Sequence, residues 1–115
     1  MTFREIGEIK VYIASPYSSG DMAVNVKKQI DVADDLISLG FIPFVPLLYH
    51  FQHMVHPRSY EEWVKIDLEW VTVCNCLLRL PGESKGADGE VEQAKEIGIP
   101  VFYEINDLIS YYCEN

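Results

Sequence analysis

The chain predicts a single-domain three-layer α/β/α fold on a small parallel sheet of four to five strands, in the flavodoxin or Rossmann manner. Three observations carry that expectation. At 115 residues, 49% of them hydrophobic, the chain is long enough for one buried core and too short for two. Short β-rich runs alternate with segments whose apolar residues repeat at helical spacing, strand first, four times over. That alternation calls for right-handed crossovers, which place helices on both faces of a parallel sheet.

The elements follow in order. Ile9 to Ala14 is rich in β-branched residues and is ended by the turn-forming cluster Ser15-Pro16-Tyr17-Ser18-Ser19-Gly20. From Met22 to Leu39, Val26, Ile30, Ala33 and Ile37 recur at helical spacing, and Gly40 is a C-terminal stop. Phe41 to Val45 is a short strand, and Pro43 within it indicates an edge position. Pro46 to Ser59 reads as a long connection carrying His50, His53 and His56. Ser59 with Glu62 fits a capping box for a helix reaching about Val73. Asn75 to Leu80 is a buried strand, followed by the loop Pro81–Gly86. A helix from about Ala87 to Ile97 stops at Gly98, Pro100 to Tyr103 is the last strand, and Asp107 to Tyr112 is a terminal helix. Ligands in such folds sit beyond the carboxyl ends of the strands, where the Ser15–Gly20 and Pro81–Gly86 loops lie.

Composition narrows the partners. Eighteen acidic residues against nine basic ones give a net charge of −9 and a pI near 4.6, which argues against polymeric nucleic acid and anionic membrane surfaces. No apolar run approaches the ~18–20 residues of a bilayer span, and the start Met1-Thr2-Phe3-Arg4-Glu5 lacks a signal-peptide pattern. Three cysteines make no disulfide framework, so the expected setting is reducing and cytoplasmic.

Two acids fall on the wrong helix faces. With ~100° per residue, Tyr60, Trp63, Val64, Trp70 and Val71 lie within about 60° of Asp67. Glu90 likewise falls among Ala87, Val91, Ala94 and Ile97, while Glu92 and Glu96 take the far side. A buried carboxylate needs compensation. The structural explanation is a tie to backbone or tyrosine donors; the functional one is a carboxylate pair lining a cleft, as glycosyl-bond cleavage and other acid–base chemistry require. Glu90 is expected in the first turn of its helix, where the dipole favours an ionised nucleophile. The preceding Ser84-Lys85-Gly86-Ala87-Asp88-Gly89 resembles a backbone anion site, so a phosphate there must stand about a ribose length from Glu90.

The histidines lack the Cys or carboxylate companions of a metal site, and neither metal nor cofactor is expected. His50 is a candidate base or phosphate contact. Cys74 and Cys76 read as buried structural thiols, and Trp63 and Trp70 as core or interface residues, with base stacking as the functional alternative.

Three ordered motifs carry a family resemblance. Val11-Tyr12-Ile13-Ala14-Ser15-Pro16-Tyr17-Ser18 before a helix resembles the first strand and loop of the nucleoside 2-deoxyribosyltransferase superfamily. Lys65-Ile66-Asp67-Leu68-Glu69-Trp70 is similar to its aspartate-bearing helix. Ser84-Lys85-Gly86-Ala87-Asp88-Gly89-Glu90-Val91-Glu92-Gln93-Ala94 resembles its nucleophile motif. The trio spans about Val11 to Val101, and Leu80 to Gly98 is also similar to small phage and bacterial proteins grouped with that superfamily.

The resemblance implies that Glu90 attacks the anomeric carbon, Asp67 assists the base and Tyr12 orients Glu90. Serine at position 84, where the nucleoside transferases usually carry aspartate, resembles the nucleotide N-hydrolase branch. Ser15, Tyr17, Ser18, Ser19, Ser84, Lys85, Gly86 and His50 are then the candidate contacts to a nucleoside 5′-monophosphate. Glu92 and Asp88 depart from the family pattern. The expected activity is hydrolysis or base exchange at an N-glycosidic bond, and the expected partners are a small nucleotide and a second copy of the chain. The alternative is a module that sequesters a nucleotide or nucleotide-derived signal without turnover.

Overall fold

The computed structural model describes residues 8–113; the Met1–Glu5 segment discussed above lies outside them. Four strands form one all-parallel sheet: β1 (Lys10–Ala14), β2 (Ile42–Phe44), β3 (Cys76–Arg79) and β4 (Val101–Phe102), in the order β2-β1-β3-β4. The register pairs Tyr12 with Phe44 on one side and with Leu77 on the other. Among the described residues five α-helices flank the sheet: α1 (Met22–Ser38), α2 (Tyr49–Val55), α3 (Tyr60–Thr72), α4 (Lys85–Ile97) and α5 (Ile105–Cys113).

Side-chain alternation along β1 builds the two faces. Val11 and Ile13 pack with Ala33 and Leu36 of α1 and Leu108 and Tyr112 of α5. Tyr12 and Ala14 point the other way, to Val71 of α3 and Ala87, Val91 and Ala94 of α4. The three-layer expectation therefore holds, with four strands. Pro43 does sit in an edge strand, where its missing N–H removes no ladder bond.

Local chemistry sets the helix ends. Asp21 accepts from the Val24 N–H at 3.1 Å to open α1, and Gly40 beyond its end adopts φ +97°. Ser59 and Glu62 form the expected capping box on α3. Gly98 closes α4 with φ +84°.

Four expectations are corrected. Residues 46–59 are not a plain connection: Pro46–Leu48 is a 3-10 turn and α2 follows it. The inward stripe of α1 is Val26, Gln29, Ala33 and Leu36, with Ile30 and Ile37 exposed; the apolar period was displaced because the buried Gln29 is polar. On the Asp67 and Glu90 wheels, Tyr60, Trp70 and Ile97 are exposed, because they flank the packed seam rather than sit on it. Finally, α4 begins at Lys85, two residues early, because Ser84 accepts from the Ala87 N–H at 3.1 Å as its N-cap. The glycines at 86 and 89 suggested loop, but the cap holds them in helix. Glu90 consequently lies in the second turn, beyond the free N–H groups, and the helix terminus does not ionise it.

Candidate functional site

The strand order reverses between β1 and β3, which opens a crevice beyond their carboxyl ends. A cavity of about 800 Å³ lies there, within the range of small-ligand sites. The β1 loop contributes Ser15, Tyr17, Ser18 and Ser19 to its lining. The start of α4 contributes Ser84, Lys85, Gly86 and Glu90, α3 contributes Asp67, and α2 contributes His50. Tyr12 stands behind this surface, and it holds Glu90 from the sheet side.

That hold is direct. The Tyr12 hydroxyl donates to Glu90 Oε2 at 2.5 Å, joining residues 78 apart in sequence. Tyr12 is 0% exposed and Glu90 9%. Burial, then the nearby Glu90 and Asp67 carboxyls, push the Tyr12 phenol far above its usual range, so it remains the donor. Burial also pushes Glu90 up to about 8, against the opposing effects of the Tyr12 hydrogen bond and the Arg79 charge; nearby Asp67 adds to the rise. Asp67 itself is pushed up to about 7 by burial. Its Oδ1 is buried without a hydrogen-bond partner, a costly state for a carboxyl oxygen and one that favours the protonated acid. Of the two carboxyls, only Glu90 has the tyrosine tie that the structural explanation supposed.

The surrounding residues fix the loops. Arg79, buried at the end of β3, donates to the Leu80 carbonyl, to the Gly82 carbonyl at 2.8 Å and to Asp88 Oδ1 at 3.0 Å. The departure at Asp88 is thereby explained as an ion-pair partner. Gly82 holds φ +119°, and a Cβ there would meet Pro16 Cγ at 2.7 Å, so only glycine lets the two crevice loops touch. Gln29 donates to Ser15 Oγ at 2.7 Å and accepts from the Leu47 N–H at 2.9 Å, tying the β1 loop to the 3-10 turn. His50 Nδ1 and the Tyr17 hydroxyl share a 2.5 Å hydrogen bond.

Sequence reasoning missed Arg79, Gln29 and the cavity-lining His53, Arg58, Tyr60 and Glu83. Arg79 had a signal, being the one charge inside the apolar run Asn75 to Leu80. Gln29 had a subtler one, at the position between Val26 and Ala33 where the inward period requires a buried residue. Trp63 is half-buried and lines the cavity, whereas Trp70 stacks on Phe44 with centroids 4.8 Å apart. Cys74 and Cys76 are buried as expected. Near the C-terminal end, Tyr112 is buried against Phe41, while Tyr103 and Tyr111 are exposed.

Fold and cavity together define a parallel α/β domain with a buried tyrosine-held carboxyl and a second, unpartnered carboxyl in one crevice at the strand-order reversal. The chain belongs to the DUF7768 family, a domain of unknown function that matches residues 9–104. No curated protein shows a significant match.

Proposed function

We propose that this protein cleaves the N-glycosidic bond of a nucleoside 5′-monophosphate, by hydrolysis or base exchange, with Glu90 as the nucleophile. The observation that carries the proposal is the Tyr12–Glu90 hydrogen bond at the wall of a cavity that Asp67 also lines. The family resemblance of the three motifs points the same way.

Glu90 attacks the anomeric carbon as the C–N bond breaks and its electron pair leaves with the base. Tyr12 holds Oε2, so the other carboxylate oxygen is the one available for attack. Asp67, pushed up to about 7, supplies a proton to the departing base. Water, or another base, then gives up a proton to Asp67 as it attacks the anomeric carbon, and the bond to Glu90 breaks with its electron pair returning to the carboxylate. Burial raises both carboxyls, Glu90 to about 8 and Asp67 to about 7. The reactive form, with Glu90 ionised and Asp67 protonated, is therefore the minor one-proton form, and the pair turns over only through it. The Ser18 and Ser19 hydroxyls, Ser84 and Lys85 are the donors proposed for the phosphate. The placement of Glu90 a turn inside α4 separates its charge from that phosphate.

The family resemblance also supports a homo-oligomer of nucleotide-binding subunits, for which the exposed apolar residues Leu48, Phe51, Met54 and Val55 offer a surface. Among the described residues no helix is long and apolar enough to cross a membrane; a cytoplasmic setting belongs to the same proposal.

A second reading is favoured by one observation. With Glu90 pushed up to about 8, the empty site at neutral pH holds it largely protonated, a state that binds but does not attack. A sequestering module without turnover follows from that state. Incubation with ribo- and 2′-deoxyribonucleoside monophosphates, followed by chromatography for free base, separates the two. Free base supports the enzyme; a ligand-induced rise in Tm with no base released supports the module.

A further inference from the structure

The α2–α3 wall of the cavity contains a histidine whose tautomer is fixed by its neighbours. The Trp63 indole N–H can only donate, and it donates to His53 Nδ1 at 2.8 Å. The backbone N–H of Arg58 donates to the same atom at 3.2 Å. Two donors converging on one ring nitrogen require that nitrogen to keep its lone pair, so the neutral ring carries its proton on Nε2. No acceptor is bonded to that Nε2–H among the described residues. His53, Trp63, Tyr49 and Arg58 all line the cavity.

The same wall is otherwise aromatic and donor-rich. The Tyr49 and Trp63 rings lie 5.1 Å apart. Tyr49 Oη accepts from the Trp70 indole N–H at 3.0 Å, which leaves its own O–H to donate. Arg58 presents a guanidinium, with one nitrogen held by Glu62 at 2.8 Å. The acceptor on this side of α3, Asp67, lies a turn beyond Trp63 and belongs to the reacting pair. A flat ring with acceptors along its edge matches this wall.

Resting on the reading of the cavity as a nucleotide site, we infer that His53 reads the base and selects oxo bases over amino bases. A 6-oxopurine or 4-oxopyrimidine sets a carbonyl oxygen against the His53 Nε2–H. The amino counterpart sets N–H against N–H and leaves both desolvated and unpaired, the arrangement by which hydrogen-bonding sites discriminate most strongly.

The test has two parts. Imidazole 15N shifts in the nucleotide-free protein report the His53 tautomer without reference to activity; the Nε2–H form is expected, and the Nδ1–H form overturns the inference. Affinities for inosine and adenosine 5′-monophosphates, which differ at O6 against N6, then measure selection. Wild type is expected to favour the inosine compound by about tenfold or more. His53→Leu is expected to abolish the preference, and His53→Gln, which restores a donor at similar reach, to retain it. Equal binding of the two nucleotides by wild type, or a preference that survives in His53→Leu, overturns the oxo-base assignment alone. Binding of neither by the folded protein overturns the nucleotide reading as well.

Discussion

Burial favours the protonated form of Glu90 in the folded protein, and that proton must leave before the carboxylate can attack as proposed. Its folded carboxyl lies at about 8 against an ordinary 4.5. Below pH 4.5 both folded and unfolded chains hold the proton, and nothing is lost. As pH rises from 4.5 to about 8 the unfolded chain releases the proton first, so stability falls through that window. The difference reaches on the order of 3 kcal/mol by pH 7. Glu90→Gln removes this titration while keeping an acceptor for Tyr12. Its Tm should therefore vary less with pH between 5 and 8, and should exceed the wild-type value near pH 8 by at least about 4 °C. Thermal melts across that range check it; a wild-type-like slope in the variant contradicts it.

On the proposed mechanism the same pair sets the pH dependence of turnover. Ionised Glu90 increases as pH rises towards about 8, while protonated Asp67 is lost as pH rises through about 7. The product of the two populations peaks between those values and falls on both sides. A kcat/KM profile should be bell-shaped with its maximum between pH 7 and 8, and a profile still rising at pH 10 would refute the acid role of Asp67. Gly82 is the other residue with a sharp consequence. Gly82→Ala combines φ +119° with a 2.7 Å approach to Pro16, so it should cost about 1–3 kcal/mol and lower Tm accordingly.

At the scale of elements, α4 shows how cavity lining and helix formation share residues. Ser84 is at once the N-cap and a cavity-lining hydroxyl. Gly89 lies inside the helix, and a Cβ there meets nothing within 4 Å. Glycine in a helix interior is less favourable than alanine by roughly 0.5–1 kcal/mol. Gly89→Ala should stabilise the protein by about that amount without altering base release, as chemical denaturation can measure. A destabilised variant would mean that the open space at Gly89 is occupied in the working protein. Element legibility followed packing. The strands and the bounds of α1 and α3 were readable because their apolar runs and end signals are local, although the inward face of α1 was not. The short α2 was not, because its apolar residues Phe51, Met54 and Val55 face outward and leave no inward stripe to detect.

At the scale of the molecule, the alternation of short apolar runs and amphipathic segments was enough to indicate a doubly covered parallel sheet. The candidate site was legible to the extent that Asp67 and Glu90 interrupt apolar faces. The ordinary solvated role of most of the acids made those two conspicuous despite a net charge of −9. Tyr12 as the partner of Glu90 came from the family resemblance alone, whereas the Gln29 tie between loops and the Trp63–His53 contact, which join separate elements, were not foreseen. No periodicity encodes such meetings.

The central claim is that Glu90 performs the bond-breaking step, and the most direct test is the rate of free-base release by Glu90→Gln beside wild type on the same nucleoside monophosphate, with Tm recorded for both. A fall of about a thousandfold or more is expected, in a protein at least as stable as wild type. A folded Glu90→Gln variant that releases base at the wild-type rate would contradict it.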